Sequence, residues 1–204
     1  MSLEPRLVLA SNNPGKIREF RDLLKGQVEI VSLMDLGIES PQETEPTFLG
    51  NAAIKARSLH DLSGEVTLAD DSGLIVDALD GRPGVLSARY AGDHGDDAAN
   101  RAMLLEQMNT IPPVERTARF VAAIVVIDRT GGMSSVEGIC EGSIGFEERG
   151  SNGFGYDSLF VLPTGRTMAE LTSAEKSLVS HRGEATRRIL PYVQAALGLH
   201  LDST

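Results

Sequence analysis

Four short strings in this 204-residue chain carry residue types and spacings that could do chemistry. The first is Ser11-Asn12-Asn13-Pro14-Gly15-Lys16, set between an apolar run, Leu7 to Ala10, and an amphipathic one carrying Ile17, Phe20 and Leu24. That order reads as strand, polar turn, helix. Pro14 suits the first helical turn, Asn13 can cap it, and the free N–H groups there attract an anion to which Lys16 adds a positive point charge. A phosphate fits such a cradle. The string is nevertheless not a P-loop, because Ala10 stands where the first glycine belongs and Ile17 where a Ser or Thr would hold magnesium.

The second string, Asp70-Asp71-Ser72-Gly73, follows the apolar run Val66 to Ala69. Side chains alternate across a strand, so the two carboxylates share a site only if the strand stops and Gly73 lets the chain bend there. Clustered carboxylates repel unless a cation sits between them, and Mg²⁺ prefers oxygen ligands while keeping waters and substrate phosphates. The bland alternative is a solvated acidic turn. The third string runs from Gly150 to Asp157, where glycines flank Phe154 and Tyr156 and leave ring faces that a base could approach. Its order is not the dinucleotide fingerprint, and its Ser, Asn and Gly content also suits a plain surface loop. The fourth gathers Lys176 with Ser180-His181-Arg182-Gly183 near the start of the last helix, where the dipole disfavours cations unless an anion or an electron-rich ligand is present. Ser180 and His181 are neighbours that do not face each other on a helix, which argues against a serine nucleophile.

The elements that must position these strings alternate at first. A strand and helix at 7–24 lead to a strand at 28–31, a polar loop with Glu43 and Glu45, and an Ala-rich helix at about 47–61. After the acidic string come a short extended element at 74–79 and a turn at 81–84. A helix capped by Asp96 or Asp97 then carries Met103, Leu104 and Met108. Phe120 to Ile127 and Ser135 to Glu141, joined by Asp128 to Gly132, predict a β-hairpin. A strand at 158–162 follows. Thr172 or Ser173 with Glu175 forms a capping box, and a last helix at about 181–197 places Ala185, Ile189, Tyr192 and Ala196 on one face. Strand–helix alternation with a later hairpin predicts an α/β fold with a mixed sheet in a single domain, 1–204.

Composition narrows the partners. A formal net charge of −10 disfavours nucleic acid and anionic membranes, and no apolar run is long enough to span a bilayer. Neither a signal sequence nor a disulfide is expected. Cys140 is the sole cysteine and reads as a small buried apolar residue, which leaves the cytoplasm as the default location.

Taken in order, SNNPGK at 11–16, ETEPTFLGNA at 43–52, ADDSGL at 69–74, GRPGVLSARYAG at 81–92, GFGYDSLF at 153–160 and AELTSAEKSLVSHRG at 169–183 resemble the inosine triphosphate pyrophosphatase (HAM1-like) family. These are enzymes of non-canonical purine nucleoside triphosphates. The resemblance implies a long twisted mixed sheet flanked by helices, two lobes with a central cleft, and a homodimer. It also implies Mg²⁺-dependent cleavage of the α–β linkage of ITP, dITP and XTP to monophosphate and pyrophosphate. By motif position, Ser11, Asn12, Asn13, Pro14, Gly15 and Lys16 would hold the triphosphate, and Glu43 and Asp71 the metal. Asp71 would be general base, with Asp70 and Ser72 in support. Phe154, Gly155, Tyr156, Asp157, Lys176, His181 and Arg182 would enclose base and sugar. Arg is donor-only, so Arg182 could meet a 6-keto oxygen but not the amine of adenine. One departure is Gly50, where family members carry Glu, a substitution read here as a glycine inside a helix. The alternatives are a Maf-type nucleotide pyrophosphatase, against which the SHR and GFGYD strings argue, and a nucleotide sensor without turnover, which would not need a base beside the metal.

Overall fold

The computed structural model describes residues 5–93 and 95–199. Strand β1 (Arg6–Leu9) leads into helix α1 (Pro14–Leu23) through the polar turn, and the sequence explains the junction. Asn13 Oδ1 accepts the Lys16 N–H at 3.0 Å, and Pro14 occupies the first turn. Strand β2 (Glu29–Ser32) runs parallel to β1 and is followed by the short helix α2 (Leu33–Leu36). Helix α3 (Phe48–Ser63) is capped by Thr47, whose side chain accepts the Gly50 N–H, and stops at Gly64, where φ is +65°. Strand β3 (Thr67–Val76) pairs parallel with β1, Leu68 lying opposite Leu9. Helix α4 (Asp97–Gln107), strands β4 (Thr117–Ile127), β5 (Met133–Ile144) and β6 (Phe160–Val161), and helices α5 (Ser173–Val179) and α6 (His181–Ala196) complete the order. The six strands form one sheet in the order β2-β1-β3-β4-β5-β6, parallel at β1 and antiparallel between β5 and β6, hence mixed. Among the described residues no helix is long and apolar enough to cross a membrane.

The chain forms two compact units. One holds the residues up to Asp71, Ala123–Gly138 and those from Glu184 onward; the other holds Ser72–Ala122 and Ile139–Gly183. In the first, Ala52, Ala56 and Leu59 of α3 pack on Val8, Ala10, Ala69, Val125 and Ile127. In the second, Leu104 and Met108 of α4 share a core with Leu74, Val76, Phe120, Ile144, Leu159 and Phe160, and Cys140 is buried among them as expected of a small apolar residue.

The structure corrects several sequence expectations. The strand does not stop at the acidic string: β3 continues through Asp70, Asp71, Ser72, Gly73 and on to Val76, without a bend. The apolar residues Leu74 and Val76 are buried, which makes the whole stretch a good central strand. The expected strand at 158–162 shrinks to Phe160–Val161, because turns hold the preceding residues. On α6 Ala185 and Ile189 are buried as expected, but the face continues through Val193, and Tyr192 is half exposed. Lys176 precedes the last helix, as read, but it lies in the final turn of α5, where the dipole favours a cation rather than opposing it. Gly50 does lie within a helix, as read, in the capped first turn of α3.

Candidate active site

In the first unit, consecutive strand residues face opposite ways, and this separates the two aspartates. Ala69 belongs to the core beneath α3, so Asp71, two residues on, faces α3, while Asp70 faces α1. Asp70 Oδ2 meets Lys16 Nζ at 2.6 Å, with the carboxylate fully buried. Asp71 Oδ1 accepts from Lys55 Nζ at 2.9 Å, and the same ammonium donates to Glu43 Oε1 at 2.8 Å. The sequence expectation that both aspartates share one site is therefore replaced by two ion-paired groups on the two faces of one strand.

Burial alone would push the Lys55 ammonium down, but the Asp71 and Glu43 carboxylates outweigh it and hold it above the usual lysine value. Burial pushes the Asp71 carboxyl up; Lys55 and Lys16 pull against this and Glu43 adds to it, and the balance lies above the usual carboxylate value. A raised carboxylate is a better proton acceptor. Asp71 Oδ2 is buried and has no hydrogen-bond partner, so one hard oxygen of a charged group is left uncommitted beside Glu43. Two carboxylate oxygen donors with such an atom fit a magnesium ion, which takes one or two carboxylates and completes its shell with water and phosphate. Among the described residues no group of three or more His, Cys, Asp or Glu is assembled around one point.

The turn before α1 behaves as its sequence implies. The Asn13 N–H donates to Ser11 Oγ at 3.2 Å, Asn13 caps the helix, and Gly15 is buried. The Asn12 amide instead donates to the Ile38 carbonyl at 2.9 Å, which ties the turn to the chain after α2. Gly50 has a local reason: a Cβ there would lie 2.6 Å from Glu45 Cβ and 2.8 Å from its Cγ.

In the second unit, the Gly-rich loop is a set of hydrogen-bonded turns. Asp157 Oδ2 accepts the Phe154 N–H at 2.9 Å and Lys176 Nζ at 2.5 Å. Lys176 Nζ lies 5.0 Å from the Phe154 ring centroid and Arg182 Cζ 5.8 Å from it. Arg182 is buried and donates from Nη2 to Ser72 Oγ at 2.7 Å, while the His181 ring stacks on Phe120 with centroids 4.8 Å apart. Tyr156 is buried in the core with its hydroxyl donating to the Ser87 carbonyl at 2.9 Å, so Phe154 is the half-buried ring of this loop.

Sequence reasoning missed Lys55. The signal was present: Phe48, Ala52, Lys55, Ala56 and Leu59 form the inward stripe of α3, and a lysine on an apolar stripe needs a buried anion. It also missed Asp97 and Arg101, whose side chains reach Gly155 from α4.

The sequence pattern of the Ham1 family matches residues 7–192. A dITP/XTP pyrophosphatase of Haemophilus influenzae is 50% identical over 187 residues, covering 90% of this chain and 96% of that protein. The dITP/XTP pyrophosphatase of Exiguobacterium sibiricum is 45% identical over 197 residues, covering 95% and 99%. Among solved structures, a HAM1 protein from Coxiella burnetii superposes with a TM-score of 0.82 at 37% identity, covering 93% of this chain and 98% of that one. With the family pattern spanning nearly the whole chain and relatives this similar over their full length, the chain belongs to the Ham1 family.

Proposed function

We propose that this protein hydrolyses the α–β phosphoanhydride of ITP, dITP and XTP, releasing the nucleoside monophosphate and pyrophosphate. The observation that carries the reading is Asp71: a buried carboxylate with one oxygen on Lys55, the other uncommitted, and a proton affinity raised above normal. Asp71 takes the proton of the attacking water, and Glu43 shares with it the binding of Mg²⁺. When bound, that ion lowers the pKa of water and neutralises charge on the phosphates. Lys55 holds Asp71 and Glu43 in place, and Asp70 fixes the Lys16 ammonium beside the α1 N-terminus. Ser11, Asn12, Asn13, Pro14, Gly15 and Lys16 form the triphosphate cradle.

On the base side, Phe154 offers the stacking face, Gly155, Tyr156 and Asp157 shape its loop, and Lys176, His181 and Arg182 supply donors. Ser72 orients Arg182. Donors select a 6-keto purine because an adenine amine would leave a buried donor unmet, at about 1–3 kcal/mol. A homodimer acting in the cytoplasm, with no nucleic-acid or membrane partner, completes the proposal; the resemblance and the net charge of −10 support it.

The test is release of pyrophosphate and monophosphate from ITP, XTP, dITP, dGTP, ATP and dUTP, with Mg²⁺ and with EDTA. Wild type turns over ITP, dITP and XTP only with metal, and Asp71→Asn loses at least about 100-fold in kcat, the usual range for a missing general base. Binding of ITP without turnover would replace the reading with a sensor. Turnover confined to pyrimidine nucleotides would replace it with a Maf-type enzyme.

A further inference from the structure

The loop that carries Phe154 is gripped by a helix to which the proposed function gives no task. The Gly155 N–H donates to Asp97 Oδ2 at 2.7 Å, and the Gly155 carbonyl accepts from Arg101 Nη1 at 3.0 Å. Asp97 and Arg101 are one turn apart on the same face of α4, so both backbone groups of one loop residue are held by one helix. Arg101 is itself braced, its Nε donating to Glu148 Oε2 at 2.8 Å, an oxygen that also accepts from Ser158 Oγ at 3.0 Å.

The grip is not a by-product of helix capping. Asp96 is the cap of α4, its Oδ1 accepting the Ala99 N–H at 2.9 Å, which leaves the Asp97 carboxylate for the loop. Nor is the held residue arbitrary. Gly155 sits at φ +58° within a stretch that also contains Gly150 and Gly153 at positive φ, and glycines of this kind have many backbone alternatives. Asp157 already fixes the Phe154 N–H, and Asp97 with Arg101 fix the residue on its other side. The ring of Phe154 is thereby held beside Lys176 and Arg182.

We propose that Asp97 and Arg101 are positioning residues for base recognition: by holding both backbone groups of Gly155 they set the plane of the Phe154 ring, and with it the affinity for the purine. The proposal rests on the reading above in which Phe154 stacks on the base. Neither residue touches the reacting phosphates, so their loss weakens binding of the base without slowing cleavage of what is bound.

The wild-type chain has no tryptophan, so Phe154→Trp places a single, selectively excited tryptophan at the ring position. Titration of that variant with the α,β-methylene analogue of ITP reads stacking as quenching. Adding Asp97→Ala or Arg101→Gln raises the Kd so measured about tenfold, the worth of roughly one hydrogen bond. In the chain that keeps Phe154, each raises KM for ITP by a similar factor with kcat within about twofold. Asp97→Asn, which retains an acceptor oxygen, recovers most of the loss. In a Phe154→Ala background, Asp97→Ala shifts KM by less than about twofold, because its target is gone. Since Asp96 still caps α4, the variants melt close to wild type, and Arg101→Gln stands alone if Asp97→Ala does not fold.

Unchanged KM in Asp97→Ala and Arg101→Gln, when Phe154→Ala does raise it, overturns the proposal. So does a fall in kcat at constant KM, or additive losses with Phe154→Ala. If Phe154→Trp gives no quenching and Phe154→Ala binds ITP normally, the stacking reading itself fails and the proposal falls with it.

Discussion

Replacing Lys55 with methionine removes the one cation that Asp71 and Glu43 share while keeping most of its apolar stem. Breaking a buried ion pair from one side costs about 3–5 kcal/mol, because the other charge is left unpaired. The Glu43 side chain is 22% exposed against 6% for Lys55 and 7% for Asp71, so water screens part of the loss. The lower end, about 3 kcal/mol at pH 8, is the expected figure. At about 2–4 °C per kcal/mol for a chain of this length, the melting temperature falls by about 6–12 °C.

The pH dependence has a definite sign. Burial has already pushed the Asp71 carboxyl above its usual value, and without Lys55 only the Lys16 ammonium is left to oppose the push. A carboxyl whose folded value is raised binds its proton more tightly in the folded state, so it favours folding at low pH and loses that contribution as pH rises through the folded value. The deficit of Lys55→Met therefore shrinks toward pH 5 and grows toward pH 8.5. Mg²⁺ returns part of the loss, and returns more in the variant than in wild type, since the competing ammonium is gone. Thermal melts from pH 5 to 8.5, with and without Mg²⁺, test this. A variant within about 1 °C of wild type at pH 8, or a deficit independent of pH, would refute the reasoning.

Three further outcomes follow from other parts of the chain. The Glu175 carboxyl, held at about 2 by Arg166 and by the Thr172 backbone and side chain, adds stability that is present above its ordinary value of 4.5 and lost as pH falls through about 2; the melting temperature of Glu175→Gln is thus lower at pH 7, and the gap closes in acid melts near pH 2. Arg116 is buried and donates to the carbonyls of Ile144, Met108 and Gly145 at 2.8, 2.6 and 2.7 Å, so Arg116→Met strands several acceptors and costs about 3 kcal/mol in urea unfolding. Its KM for ITP stays as in wild type if the folded protein is otherwise intact. Gly50→Ala lowers the melting temperature despite a helix-propensity gain of about 1 kcal/mol, because the added Cβ meets the inner atoms of Glu45 rather than a side-chain tip that could swing away.

Much of the structure around the candidate site was legible because it is local. The Asn13 cap, the Pro14 start and the Thr172–Glu175 capping box each depend on residues a few positions apart, and each forms as read. What failed was the boundary of β3. Asp70-Asp71-Ser72-Gly73 looks like a turn by composition, but the sheet overrides it: buried neighbours on both sides and ion pairs to α1 and α3 make a strand of residues with poor strand propensity. Asp97 and Arg101 could not be read at all, since their partner Gly155 lies more than fifty positions away and contributes only backbone atoms. A backbone acceptor leaves no trace in side-chain identity.

The charge balance of the first unit shows why nucleotide and metal should bind together. Lys16 and Lys55 stand against Asp70, Asp71 and Glu43, so the group carries one negative charge in excess when all are ionised, and each lysine is already engaged by a carboxylate. A protein with a net charge of −10 and no surplus cation among these residues does not draw in a triphosphate by its own field. The α1 N-terminus contributes partial charge only. A divalent cation on Glu43 and Asp71 reverses the sign of the group, and on the proposed function the triphosphate then meets positive charge where it needs it. On the proposed function, the same excess negative charge that weakens binding of free triphosphate makes the site selective for the metal complex, and by linkage each ligand tightens the other by the same factor.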